Sequence, residues 1–170
     1  DAVNKTVFPG TSGGPHLNQI AAVGQALMEV LGEDAYPDGR PFNDYANEIL
    51  KNTHAIEQGL KHGGVDLLTD SENHLSLIKL KPGSDSLEVQ NKLESLGIVC
   101  NRNSIPDDPG TAWRPSGIRI GTPALTSRGL SVDQAKELGG IIAGAITGRM
   151  GEKAVKSYVD NLSSNLSWWY

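Results

Sequence analysis

Residues 60–80 read Leu60-Lys61-His62-Gly63-Gly64-Val65-Asp66-Leu67-Leu68-Thr69-Asp70-Ser71-Glu72-Asn73-His74-Leu75-Ser76-Leu77-Ile78-Lys79-Leu80, and the period of the pattern changes inside that run. Before it, Tyr45, Ile49, Thr53, Ile56 and Leu60 recur at three- and four-residue steps, one face of a helix. Lys61 and His62 suit the negative end of a helix dipole, and Gly63-Gly64 stops the helix. Beyond the glycines the period shortens. Residues 65–68 and 75–80 read as strands, the second alternating in and out, joined by a polar hairpin-like connection at 69–73. A helix running straight into a strand pair predicts an α+β domain.

Downstream, Pro82-Gly83-Ser84-Asp85 is a turn, and Asp85 or Ser86 can cap a helix that runs to Leu96 and stops at Gly97. Residues 98–101 read as a short strand, and 103–115 as a long polar loop with prolines. Ile118-Arg119-Ile120, β-branched and flanked by glycines, reads as another strand. A connection over 123–130 leads to a strong helix: Ser131 is a good N-cap, Gln134 sits at the capping-box position, and Ala135, Leu138, Ile142 and Ile146 form its apolar face. The segment 151–167 is weakly helical and leads into the aromatic end Trp168-Trp169-Tyr170. Upstream, Leu17, Ile20, Ala21, Gly24, Leu27, Met28 and Leu31 make a helical stripe ended by Gly32, and 34–41 is an interrupting loop. The sum is a two-layer helix/sheet domain of the α+β class with a helix-first lead-in.

The chain has 170 residues, with Lys+Arg 15 against Asp+Glu 20 and a net charge of -5. That length suits one domain, or one domain with an appendage. The weakly acidic balance, with no cluster of Lys or Arg, argues against nucleic-acid binding. No apolar run approaches the roughly 20 residues that span a bilayer, so no membrane partner is expected. The single cysteine, Cys100, allows no internal disulfide and fits a reducing, cytoplasmic setting. The opening at Asp1 lacks a basic segment followed by an apolar one, so it does not read as a signal peptide, and a processed chain or a piece of a longer one is expected.

Three stretches have compositions a plain scaffold does not require. Gly10-Thr11-Ser12-Gly13-Gly14-Pro15 precedes a helix, and consecutive N–H groups without a Cβ in the way can cradle a phosphate. A glycine turn that only reverses the chain is the more frequent reading of the same residues, since the spacing is neither a Walker nor a Rossmann pattern. Arg119 stands in a short strand between Gly117 and Gly121. A guanidinium there needs a partner, either the carboxylate of a ligand or an internal salt bridge. Asn101-Arg102-Asn103-Ser104-Ile105-Pro106-Asp107-Asp108-Pro109 is either a ligand-contacting loop or an array of Asx turns that touches nothing. His16, His54, His62 and His74 show no metal-ligand spacing. His54 and His62 read as solvent-facing, and Asn73-His74 as residues that orient a loop. Cys100 reads as a small hydrophobe.

Taken together, Val7-Phe8-Pro9-Gly10 with Gly13-Gly14-Pro15, Asn73-His74-Leu75, Asn103-Ser104-Ile105-Pro106 with Asp108-Pro109, Ser116-Gly117-Ile118-Arg119-Ile120-Gly121-Thr122-Pro123-Ala124 and Arg128-Gly129 resemble one family, the serine hydroxymethyltransferases. The resemblance runs from Val7 to about Met150. It implies the small C-terminal domain of a type I pyridoxal-phosphate enzyme, preceded by a long connecting helix. Residues 1–60 would hold the end of the large domain, the phosphate loop and that helix, 61–150 the small domain, and 151–170 a tail. It implies pyridoxal 5'-phosphate as cofactor and tetrahydrofolate as co-substrate. Gly13 and Gly14 resemble the pair that reaches the cofactor phosphate across a homodimer interface. Arg119 is similar to the arginine that grips the substrate carboxylate, and Asn103 and Ser104 fall where the family meets folate.

The family's Schiff-base lysine lies upstream of the Val-Phe-Pro-Gly word, in a Thr-rich segment not present here, and Lys5 lacks those neighbours. No catalytic residue is therefore assigned in this chain, which is expected to be inactive alone and to need the upstream large-domain part, in the same or a separate chain. The 69–73 connection is longer than the family's usual Thr-Asp-Asn-His. That departure leaves a transaldolase or an α-methylserine hydroxymethyltransferase as alternatives, beside a non-catalytic small-domain binding or regulatory module. In the last case the stripe on 17–31 would need a cover, such as the Trp168-Trp169-Tyr170 end.

Overall fold

A computed structural model of the chain describes residues 1–32 and 41–167. The loop at 34–41, except Pro41, and the aromatic end at 168–170 lie outside the described residues. The chain divides into two compact units, Asp1–Phe42 and Asn43–Tyr170.

In the first unit, a short helix α1 (Ala2–Lys5) continues into one wide turn at Thr6–Thr11. An open segment at 12–16 then leads to helix α2 (Leu17–Leu31), which ends on Gly32 in the left-handed region at φ 77°. The stop comes where the glycine predicts it, because only a residue without Cβ takes that conformation cheaply. None of α2 is buried.

The second unit is built on helix α3 (Phe42–His62), 21 residues long. Its stripe buries Thr53, Ile56 and Leu60 as the spacing predicts, and also Asn52, Ala55, Glu57 and Gly59. Four antiparallel strands follow: β1 (Asp66–Leu67), β2 (Leu75–Lys79), β3 (Asn101–Asn103) and β4 (Gly117–Gly121), in the order β1-β2-β4-β3. Helix α4 (Ser86–Ser95) lies between β2 and β3 in sequence, with Asp85 as its N-cap, accepting from the Leu87 N–H at 2.8 Å. After β4 come a single turn α5 (Pro123–Thr126), helix α6 (Val132–Thr147) and helix α7 (Glu152–Asn165). The capping box at Ser131 and Gln134 is formed in full.

Period two decides the faces of the sheet. Ser76 and Ile78 of β2 and Ile118 and Ile120 of β4 are buried toward the helices. The three isoleucines form one core with Ile56, Leu60, Leu93, Leu138 and Ile142, to which α7 adds Val155 and Leu162. Helices α3 and α6 cross at Gly59 and Gly139, where an added Cβ would overlap the backbone of the facing helix. The alternate residues Leu75, Leu77, Asn103 and Arg119 stay half-buried, and Asn101 is exposed. Ladder pairing sets Arg119 between Leu77 and Asn101 on this outer face.

Two elements differ from expectation, and a third that was only weakly marked forms in full. The strand expected at 98–101 forms at Asn101–Asn103 instead, because the Ile98 N–H turns back to the Leu93 carbonyl at 2.9 Å and closes the end of α4. The connection at 123–130 contains α5, with Pro123 preset for a first turn. The weakly helical 151–167 holds a helix of 14 residues, whose last carbonyls receive Arg128: Nη2 lies 2.6 Å from the Ser163 oxygen and 3.0 Å from that of Leu166.

Candidate functional site

β4 carries Arg119 because Gly117 and Gly121 leave no side chain beside it on its own strand and face. Arg119 lines a cavity of about 610 Å³ together with Asn103, Leu75, Leu77 and the whole 69–73 connection. The internal salt bridge that would make Arg119 a scaffold residue is not found: among the described residues, its guanidinium has no hydrogen-bond or ion-pair partner. A half-buried guanidinium without a partner suits an incoming carboxylate, which its planar fork meets with two parallel hydrogen bonds.

Asn103 shares the cavity, and its Nδ2 donates to the Ser104 carbonyl at 2.7 Å. Ser104 itself is exposed and is not among the lining residues. The loop that follows is organised by Asp108, whose carboxylate accepts from the N–H groups of Ile105 at 3.1 Å, Gly110 at 2.7 Å and Ser116 at 2.9 Å. The Ser116 side chain first, and then these N–H groups, hold the Asp108 carboxyl well below the usual carboxylate range. The Asx-turn reading of this loop is met at Asp108, while Asn103 lines the cavity.

The 69–73 connection forms the facing wall, and Ser71 is its pivot. The Ser71 N–H lies 3.2 Å from each carboxylate oxygen of Glu57, and the Ser76 hydroxyl donates to the same carboxylate at 2.8 Å. The Ser71 carbonyl lies 2.8 Å from His54 Nε2. A carbonyl only accepts, so that nitrogen carries the proton. Asn73 Oδ1 accepts the Leu75 N–H at 2.8 Å, the loop-orienting role expected of Asn73. His54, expected to face solvent, is exposed yet bonded to the wall. Glu57 was not anticipated at all, and no local signal marks it, since its donors lie 14 and 19 residues away.

A polar seam holds the other side. Thr53 and Thr122 share a hydroxyl hydrogen bond of 2.8 Å, and Asn52 donates to Thr126 Oγ1 and the Leu130 carbonyl, both at 3.0 Å. Thr122 immediately follows β4, so the strand bearing Arg119 is pinned to α3.

Gly13 and Gly14 lie in the other unit, on the segment before α2. Nothing stands within 4 Å of where a Cβ would be on either, and their N–H groups bond to no carbonyl among the described residues. Such open backbone fits the edge of a phosphate group. Cys100 is buried, and burial, then the charge of Glu94, pushes its thiol up to about 11, which leaves it inert as a nucleophile. Among the described residues, no group of three His, Cys, Asp or Glu is placed to hold a metal, and no helix is long and apolar enough to cross a membrane.

The family model for serine hydroxymethyltransferase matches residues 1–142. The chain belongs to the serine hydroxymethyltransferase family. Similar proteins include serine hydroxymethyltransferase 2 of Burkholderia pseudomallei, 42% identical over 142 residues, covering 82% of this chain and 32% of the relative. The Caenorhabditis briggsae serine hydroxymethyltransferase is 40% identical over 144 residues, 84% of this chain and 27% of the relative. That of Mycoplasma capricolum is 38% identical over 160 residues, 91% and 36%. The chain thus spans about a third of the length of the serine hydroxymethyltransferases it matches. The Mycoplasma alignment is longer than the family match, so likeness to at least one relative takes in more of the chain.

Proposed function

We propose that this chain is the C-terminal part of a pyridoxal-phosphate-dependent serine hydroxymethyltransferase, which converts serine and tetrahydrofolate to glycine and 5,10-methylenetetrahydrofolate. The observation that carries the reading is the unpartnered guanidinium of Arg119 in an open cavity. In this reading Asn43–Tyr170 belongs to the small domain of a type I fold, and the rest of the fold corresponds to the two-thirds of the relatives outside the match. The assembled enzyme is a cytoplasmic homodimer.

The cofactor, when bound, supplies the electron sink for the bond broken at the amino acid. This chain's own residues bind and orient. Arg119 holds the substrate carboxylate by two hydrogen bonds, which, with the amino end also held, fixes the rotation about the Cα–N bond and so the direction of the bond to be broken. Gly13 and Gly14 offer N–H groups to the cofactor phosphate. Asn103, with Ser104 beside it, meets the folate. The lysine that carries the cofactor lies outside these 170 residues, so the chain alone is assigned no turnover.

A chimera tests this, with residues 7–150 replacing the counterpart segment of the Burkholderia relative. The chimera is expected to cleave serine, and Arg119→Ala in it to raise the KM for serine about a hundredfold with cofactor retained. A chimera that folds and holds the cofactor but leaves serine intact, or an unchanged KM in the variant, overturns the reading.

A further inference from the structure

Glu57 is a carboxylate only 3% exposed, and among the described residues it has no ion pair. A buried charge in that state is costly, and an apolar residue of similar size would serve packing better. Its position is explained by what it holds. Glu57 accepts the N–H of Ser71, and His54, one turn earlier on the same helix, donates to the carbonyl of Ser71. Two side chains three residues apart therefore grip both polar groups of one backbone residue. On either side of Ser71 stand Asp70 and Glu72, both lining the cavity of Arg119.

The charges of that cavity do not balance. Arg119 supplies one positive charge. Asp70 is engaged by Lys61 Nζ, whereas Glu72 has no cationic partner among the described residues. A cavity of about 610 Å³ is large for a small amino acid, so volume alone would not keep out a longer acid. Charge can.

We propose that the His54–Glu57 clamp on Ser71 fixes Glu72 as a negative wall of the Arg119 cavity, so that the site takes ligands with one carboxylate and rejects dicarboxylates. The first carboxylate of a ligand uses up the one guanidinium that lines the cavity among the described residues, and a second one faces Glu72. The inference rests on the reading of Arg119 as the carboxylate grip and deepens it. Glu72 is here a specificity-determining residue, and His54 and Glu57 are positioning residues.

The test uses the 170-residue chain labelled with 15N, in which the side-chain Nε–H resonance of Arg119 is assigned by its loss in Arg119→Lys. Propionate and succinate are titrated separately as probes with one and two carboxylates. Propionate is expected to shift the resonance, and succinate to bind about fivefold more weakly, the size of one like-charge contact in a partly hydrated cavity. Glu72→Gln should bring the two within about twofold. His54→Ala should close part of the gap with an unchanged melting temperature, since His54 is exposed and a merely structural loss would not alter the ratio of the two affinities. An unchanged ratio in Glu72→Gln overturns the inference and leaves the carboxylate grip standing. An unchanged ratio in His54→Ala alone removes the clamp from it. If neither probe moves Arg119 in the parent chain, the grip itself fails, and the inference with it.

Discussion

Arg119 could be found in the sequence because its neighbours are wrong for a scaffold: two glycines and two isoleucines leave a guanidinium in a strand with nothing beside it. Its lack of a partner among the described residues separates binding from stability. Arg119→Lys keeps the charge and loses the fork, so carboxylate affinity should fall about tenfold, as read from the backbone amide signals of Leu77 and Asn103 in the labelled chain. Unfolding free energy should stay within about 0.5 kcal/mol, as read by denaturant titration. Asp108 lies at the opposite extreme, with every effect local to its loop. Its carboxyl is held below the ordinary value of 3.8, so the folded loop binds that proton more weakly than the unfolded chain does. The stability it contributes is complete above that ordinary value and is lost as pH falls from there toward the lowered one. The amide signals of Ile105, Gly110 and Ser116 should therefore hold steady from neutral pH through about pH 4 and move together only well below it. Asp108→Asn should abolish that joint movement. Glu57 and His54 were not legible as a clamp. Helical period places Ile56 and Leu60 inside, but the burial of a neighbouring carboxylate depends on donors supplied by another element.

Elements were legible where the signal is local. The capping box of α6, the Asp85 cap of α4 and the glycine stop of α2 all depend on residues within one turn of each other, and each forms as read. β3 was displaced because an apolar run, Ile98-Val99-Cys100, outweighed the polar Asn101-Arg102-Asn103 that actually enters the ladder. That strand is at the sheet edge, where half-exposure tolerates polar residues. α5 has only four residues, too few to show a period. α7 buries only Val155 and Leu162, a stripe too narrow to rise above its polar background. The packing of α3 on α6 was likewise hidden in two adjacent glycines, which point to opposite outcomes. Gly139→Ala drives a methyl into the Ile56 backbone and should cost about 2–3 kcal/mol or prevent folding. At Gly140 nothing lies within 4 Å, so Gly140→Ala should stabilise by about 0.5–1 kcal/mol, the ordinary helix gain over glycine. Thermal or denaturant unfolding of the two variants reads both signs, and equal effects would remove the close crossing from the account.

At the scale of the whole chain, burial and exposure are divided between the two units. Every buried apolar side chain among the described residues falls between Ala55 and Leu166, so the second unit owns the core. The first unit has no buried residue in α1 or α2 and carries Val3, Val7, Phe8, Leu17, Ile20, Val23, Leu27, Met28, Val30 and Leu31 exposed. A contiguous apolar stripe of that kind adds nothing to the folding free energy while it faces water, and it attracts hydrophobic probes. Deleting residues 1–42 should therefore leave the cooperative unfolding of 43–170 intact, with its midpoint shifted by less than about 3 °C, the equivalent of well under 1 kcal/mol in a domain of this size. The same deletion should remove most of the anilinonaphthalene sulfonate fluorescence of the folded chain. Loss of the cooperative transition would mean that the first unit supports the core, and would detach the open face of α2 from the fold as described. Retention of the transition with undiminished dye binding would place the exposed apolar surface on the second unit instead, around Val99 and Trp113, at 85% and 86% exposure its most open large hydrophobic residues among those described.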